Sequence, residues 1–270
     1  MAMKIQTKIF LLLILFIVMF MLGLIFLRFS EAGRKELIFQ DRERERNEFF
    51  DKIVELKRLP LEDFARTYTY WDEMVHFVAT GDKKWGYENL YTSLEEYGAH
   101  ATWIYRTDFY LVYSANILGD KSLREIPLPE EAYKELFKQS RFCHFFVSTD
   151  KGVMEIHGAT IHPTSDYARR TPPKGYFFNG RLLDKKYIDE LSKLTSGTIT
   201  ISPHSDEEEI SKSGNNSEKG VITFIRTLSS WDGSPLARIH VRSESPIMKE
   251  ITRSSNQQLI LSIIFALALL

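Results

Sequence analysis

Cysteine is nearly absent: Cys143 is the single one in 270 residues. One thiol excludes an intramolecular disulfide framework and any thiolate cluster for a structural metal. It leaves the compartment open, because many extracytoplasmic domains carry no disulfide. Excess charge is also missing. The formal net charge is -1 and the pI near 6.7, so no basic field points to nucleic acid, and none is expected as a partner. The short motifs of catalysis are missing too. There is no His-Glu-x-x-His, no Gly-x-Ser-x-Gly and no phosphate loop. The glycines of Lys174–Arg181 open a strand instead. Cys143 and His144 are adjacent, and adjacency on a strand argues against a nucleophile–base dyad. His157 and His162 fall in one expected strand, where their odd spacing sends them to opposite faces unless Gly158 forms a bulge. The expectation is therefore no catalytic residue, no metal and no cofactor.

Two long hydrophobic runs are present. Ile9 to Leu27 carries no charge and, at 1.5 Å per residue, makes a helix about 28 Å long, enough to cross a bilayer. A cleaved signal peptide would have a shorter apolar region and end in small residues; Arg28-Phe29-Ser30 follows here, which favours an uncleaved anchor. Lys4 and Lys8 precede the run, while Arg28, Arg34 and Lys35 follow it, so charge bias leaves orientation nearly balanced. The second run, Leu259 to Leu270, gives about 18 Å of helix, too short to span. The expectation is a longer protein whose second span starts here, the alternative a hydrophobic tail or dimer helix. The expected layout is a cytoplasmic tail at 1–8, a first span at 9–27, an extracytoplasmic block at 28–258 with a stalk helix at 31–59, and the start of a second span at 259–270.

Within the block, Glu31 to Leu59 is rich in Glu, Arg and Lys. Its alternating Asp41–Arg46 charges suit a solvated helix face, or a stalk that carries a mechanical signal. Pro60 is expected to end that helix. Strands are expected at Thr102–Arg106 and Leu111–Asn116, as a hairpin, and then at Val153–His162, Tyr176–Leu182, Thr198–Ser202, Val221–Leu228 and Leu236–Val241. Helices are expected at Glu88–Tyr97, Glu130–Gln139 and Asp184–Leu194. The polar stretch His204–Gly220 reads as a surface loop, with Asn215-Asn216-Ser217 as a glycosylation-type sequon.

The stretch that organises the block is Tyr68–Asn89. On a helix, Phe64, Tyr68, Trp71, Val75 and Val78 share one face, and Gly81 sits where the helix should stop. An amphipathic helix with core aromatics accounts for this, as does a pocket wall where aromatic faces and a carboxylate meet a small ligand. Tyr70-Trp71-Asp72-Glu73, the turn ending in Phe77, and Asn89-Leu90 resemble the fourth type of CHASE domain. So do Gly175–Gly180-Arg181, similar to that family's strand-to-helix element, and Trp231–Leu236, similar to its last hairpin. Phe109-Tyr110 departs from the Asp-x-x-Gly common at the first hairpin turn. The resemblance covers roughly Glu36 to Glu250.

The expected fold is α+β: a long N-terminal helix, then an antiparallel sheet of Cache or PAS type with flanking helices, bracketed by two transmembrane helices. The resemblance implies the extracytoplasmic sensing region of a membrane receptor of histidine kinase, cyclase or chemotaxis type. Catalysis would lie in a part beyond Leu270, a histidine kinase or nucleotide cyclase module. The alternative is a membrane-anchored structural or interaction domain without a small ligand. Candidate ligand contacts are Tyr70, Trp71, Asp72, Tyr105, His162 and Arg181. Asp72 and Arg181 have opposite charges and come from different elements, so they suit either a pair or the two ends of a polar ligand. The expected partners are an unidentified small molecule, membrane lipid and a second copy in a parallel homodimer.

Overall fold

A computed structural model describes residues 5–138, 140–205 and 220–268. The chain forms two compact units. Among the described residues, one comprises 5–49, 220–223 and 242–268, the other 50–138, 140–205 and 224–241.

The first unit contains the beginning of helix α1 (Ile5–Tyr68) and the last helix, which becomes α7 in chain order (Pro246–Ala268). The run from Ile9 to Leu27 is almost wholly exposed. Among the described residues, α1 is the one helix long and apolar enough to cross a membrane. Phe20 and Phe265 bring their rings to 5.7 Å, and Ser255 donates to Glu31 at 3.4 Å.

The second unit is built on a five-stranded antiparallel sheet in the order β2-β1-β5-β4-β3. Its strands are β1 (Ala101–Tyr105), β2 (Leu111–Asn116), β3 (Phe142–Thr149), β4 (Gly152–Ile161) and β5 (Gly175–Leu182). Strand side chains alternate between faces, and each face has its own core. One face carries Ile104, Ala159, Ile161 and Phe177. It packs against Leu61 and Phe64 of α1, Met74 and Phe77 of α2 (Asp72–Thr80), and Leu90 and Leu94. Leu90 lies in a π-helical turn (Tyr87–Tyr91) between the short helices α3 (Lys83–Gly86) and α4 (Ser93–Glu96). The other face carries Trp103, Tyr105, Ile156 and Phe178, covered by Leu123, Ile126 and α5 (Glu130–Leu136). Each such buried large side chain contributes roughly 1.5–3 kcal/mol. The Trp103 indole, fully buried, donates to the Leu123 carbonyl at 2.9 Å. A second sheet, ordered β6-β8-β7, comprises β6 (Gly197–Pro203), β7 (Val221–Ser229) and β8 (Pro235–Glu244). Helix α6 (Lys185–Thr195) and Phe50 share its core.

The α+β class with a long leading helix and antiparallel sheets is therefore observed, with strands divided between two sheets. Several expected boundaries move. Helix α1 runs through Pro60 to Tyr68. Proline removes one donor from the helical ladder, and here side chains from β5 engage carbonyls on either side: Arg181 donates to Lys57 at 2.6 Å and Asn179 to Leu61 at 3.0 Å. The aromatic helix is broken between Tyr68 and Asp72, and restarts as α2. Gly81 does close α2, with φ 66° and its amide bonded to Phe77. The β1–β2 turn places Phe109 at φ 63°, the left-handed conformation that glycine adopts at least cost. Residues 206–219, with the sequon Asn215-Asn216-Ser217, lie outside the described residues.

Candidate functional site

The break between α1 and α2 is held by the segment following β4. Helix ends leave carbonyls without amide partners. At the end of α1 these are met by the buried Arg169, which donates to the carbonyls of Arg66 and Thr69 and to the Thr69 hydroxyl, at 2.7–3.2 Å, and also to the Thr160 carbonyl. Its guanidinium lies 4.7 Å from the Phe142 ring centre, and its own φ is 52°. The His162 amide donates to Thr69 at 2.8 Å. The imidazole of His162, fully buried, sits between Asp166 at 3.0 Å and the Thr160 hydroxyl at 2.9 Å. Burial lowers its pKa, with the charge of Arg169 adding to the effect against the pull of Asp166. Asp166 accepts from the Thr171 hydroxyl, the amides of Arg170 and Thr171, and His162, which hold its carboxyl well below the usual range.

Asp72 opens α2. Its carboxylate accepts from the Thr164 amide at 3.0 Å, and its own amide donates to the Thr164 hydroxyl at 3.3 Å. Beside it lies a cleft of about 310 Å³ lined by Asp72, Glu73, His76, Phe77, Thr80, Asp82 and Trp85. Phe77 and Trp85 form its aromatic wall, with ring centres 4.7 Å apart. Asp82 caps α3, accepting from the amides of Lys84 and Trp85. Three carboxylates, one imidazole and an indole thus line a small volume, with no lysine or arginine in the lining. That chemistry suits a cation: carboxylates supply charge-assisted acceptors, and an indole face attracts positive charge.

A different polar cluster lies under α1. Glu155 of β4 is buried, accepting from Arg181 at 2.6 Å through Oε2. Its Oε1 lies 3.0 Å from Nε2 of His144 and 3.5 Å from Nε2 of His157. Burial alone would raise the carboxyl pKa; the two imidazole contacts and the Arg181 charge outweigh it and hold it well below the carboxylate range. The Arg181 guanidinium also stacks on Tyr187 at 4.6 Å.

Of the six residues singled out from sequence, the structure brings four to the α1–α2 junction. Tyr70 is half-buried, edge-on to Tyr167 at 5.4 Å. Trp71 packs on Tyr68 at 4.7 Å. Asp72 and His162 meet the same connecting segment. Asp72 alone of the six lines the cleft. Tyr105 is on the far face of the sheet, its hydroxyl bonded to Tyr133 at 3.2 Å and to the Ile126 amide. Arg181 does not meet Asp72: its partners are Glu155 and the Lys57 carbonyl. The residues missed from sequence are Arg169, Glu155 and His144. Burial pushes the Cys143 thiol pKa up, which removes the thiolate a nucleophile needs. His157 and His162 lie in different clusters. His157 faces His144 across the β3–β4 ladder instead, with rings 4.5 Å apart. The Thr149–Gly152 turn is the sequence signal that would have set this pairing. Donor atoms of His144, Glu155 and His157 lie within 4.8 Å of one another.

Residues 53–202 match the family model described as the CHASE4 domain. Two solved structures of the periplasmic domain of Vibrio cholerae LuxQ, one of them the selenomethionine form, are similar at a TM-score of 0.46 and 10% identity. They cover 75% and 73% of this chain, and 98% and 94% of their own. No curated protein matches the chain.

Proposed function

The chain belongs to the CHASE4 family of extracytoplasmic sensor domains of signalling receptors, and we propose that it detects a small cationic molecule, an amine by chemistry, in the cleft beside Asp72. The observation that carries this reading is the lining itself. Asp72, Glu73 and Asp82 face one small volume with His76 and the Phe77–Trp85 wall. Asp72 is also tied to Thr164, and the amide of His162, two residues before Thr164, donates to the Thr69 carbonyl just past the end of α1. A ligand that draws on Asp72 therefore competes with the brace that sets the α1–α2 break. On this reading the signal passes into α1 and through the membrane to an output module of histidine kinase, cyclase or chemotaxis type. Helix α7 then begins a second crossing, and the sensor block is outside with Met1 inside. Cysteines introduced near Met1 and at exposed Tyr110 would report that orientation: labelling of the first but not the second in intact cells reverses it.

The ligand reading is tested on the full chain in lipid nanodiscs with a panel of mono-, di- and polyamines, read by tryptophan fluorescence and thermal shift. A binding amine should weaken by about tenfold or more in Asp72→Asn or Glu73→Gln, the loss expected when a charged hydrogen-bond partner is neutralised. Melting should change little, because Asn keeps an acceptor for Thr164. A folded protein that binds none of the panel, or binds equally well in both variants, refutes the cleft as the site.

A further inference from the structure

We propose that His144, Glu155 and His157 form a binding site for one divalent transition-metal ion of the zinc type. The site is separate from the cleft beside Asp72 and independent of the amine reading.

The donor set comes first. Two imidazoles and one carboxylate are the ligands of borderline ions such as Zn²⁺, whereas Ca²⁺ and Mg²⁺ take oxygen. The distances come next. Metal–ligand bonds of about 2.0–2.2 Å, at angles between octahedral and tetrahedral, put neighbouring donor atoms about 2.8–3.6 Å apart. Here Glu155 Oε1 lies 3.0 Å from His144 Nε2 and 3.5 Å from His157 Nε2. All three donors lie within 4.8 Å of one another. Both imidazoles aim the same nitrogen at the same oxygen, so an ion taken up here displaces the protons that each Nε2 directs at Oε1 and takes their place among the three donors.

Rigidity is the third point. His144 and His157 are directly opposed in the β3–β4 ladder, and Glu155 is two residues from His157 on the same face. All three donors therefore stand on sheet, not on loops. The other carboxylate oxygen, Oε2, is held by Arg181 at 2.6 Å, and Arg181 is itself fixed by the Lys57 carbonyl and the Tyr187 ring. This is the outer-shell support that metal-binding carboxylates need. Arg181 also pairs with the Glu155 charge through that second oxygen, which leaves Oε1 to face the two imidazoles.

Access is the fourth point. Glu155 and His157 are buried, but 31% of the His144 side chain is exposed, which opens one side to solvent and to water as a further ligand. Cys143 contributes no sulfur: it belongs to the core on the opposite face, against Gly158.

The test is equilibrium titration of the full chain in detergent with Zn²⁺ against a chromophoric chelator, and with Co²⁺ followed by its visible absorption. The expected result is one ion per chain. His144→Ala and His157→Ala should each weaken Zn²⁺ at least as much as the roughly 10–100-fold that loss of an outer-shell partner costs. His144→Ala removes a partly exposed side chain, so it remains decisive if His157→Ala fails to fold. Absence of stoichiometric binding, or equal binding by wild type and folded His144→Ala, overturns the proposal. Amine binding at the cleft is read separately, and should survive both substitutions.

Discussion

Arg181 of β5 donates to the carbonyl of Lys57 at 2.6 Å, three residues before Pro60 in α1. The same guanidinium holds Glu155 at 2.6 Å. One side chain therefore ties the sheet to the proline-bearing stretch of the long helix and neutralises a buried carboxylate. Removing one partner of a buried ion pair leaves the other charge uncompensated, which costs about 3–5 kcal/mol. Arg181→Ala should lower stability by that amount in thermal or denaturant unfolding. Arg181→Lys should recover only part of it, because one ammonium cannot reproduce the forked contact to Glu155 and Lys57. A loss below about 1 kcal/mol in Arg181→Ala would show that the contact is incidental.

The glycines of β5 give a second prediction. A Cβ on Gly175 would stand 2.6 Å from the backbone oxygen of Tyr105, while one on Gly180 would meet the ends of Ile156 and Met154 at 2.9 Å. A carbonyl in a paired strand has little room to yield; methionine is flexible and repacks. Gly175→Ala should therefore cost about 1–3 kcal/mol, the range for overpacking a tight interior, and Gly180→Ala less. Melting curves of the two variants, measured side by side, check the order. Equal losses would mean that the two sites are equally compliant.

How far the sequence carried follows from where each signal resides. The end of α2 at Gly81, the cap of α6 at Asp184 and the β1–β2 hairpin depend on residues next to one another, and they were legible. Pro60 misled because what carries α1 past it, Asn179 and Arg181, lies more than a hundred residues away in the chain. The break after Tyr68 was hidden for the same reason: Arg169 and His162 supply the partners that let the helix stop there. Tyr105 and Arg181 read as members of one pocket because facing is undefined until register is known. Once Tyr105 is opposed to Tyr176, the alternation along β5 puts Arg181 on the opposite face. The His144–Glu155–His157 group likewise exists only through strand pairing.

The junction also predicts a pH dependence. Burial places the His162 pKa below its ordinary value, so the unfolded chain takes up this proton at higher pH than the folded one does. The contribution is fully present above about pH 6.5 and is lost as pH falls through the folded pKa, at no more than about 1.4 kcal/mol per pH unit. Asp166, Arg169 and Arg141 are the charged groups that set the value. Asp166 adds a separate limb: its lowered pKa gives stability above the ordinary aspartate range that is lost below about pH 4. Unfolding midpoints across about pH 2–8 should fall less steeply below pH 6.5 in His162→Gln than in wild type. Asp166→Asn should flatten the limb below pH 4 and extend the first limb to lower pH, because His162 loses the carboxylate that pulls its pKa up. Parallel curves for wild type and His162→Gln would remove His162 from this account.

Assembly is the last expectation, and we propose a parallel homodimer whose seam is α1. The helix buries Leu61 and Phe64 against the sheet, yet Phe49, Leu56 and Leu59 remain 42%, 60% and 41% exposed. These three are spaced by seven and then three residues, the interval between successive seam positions of a coiled coil. A stalk of this kind would let relative motion of two copies carry a signal toward the membrane. Leu56→Cys and Leu59→Cys should cross-link the copies in membranes under mild oxidation. Tyr110→Cys, exposed on the β1–β2 turn, serves as the control for random collision. Cys143 should stay silent, because burial raises its thiol pKa. If Leu56→Cys cross-links no faster than Tyr110→Cys, the exposed leucines of α1 do not face a second copy.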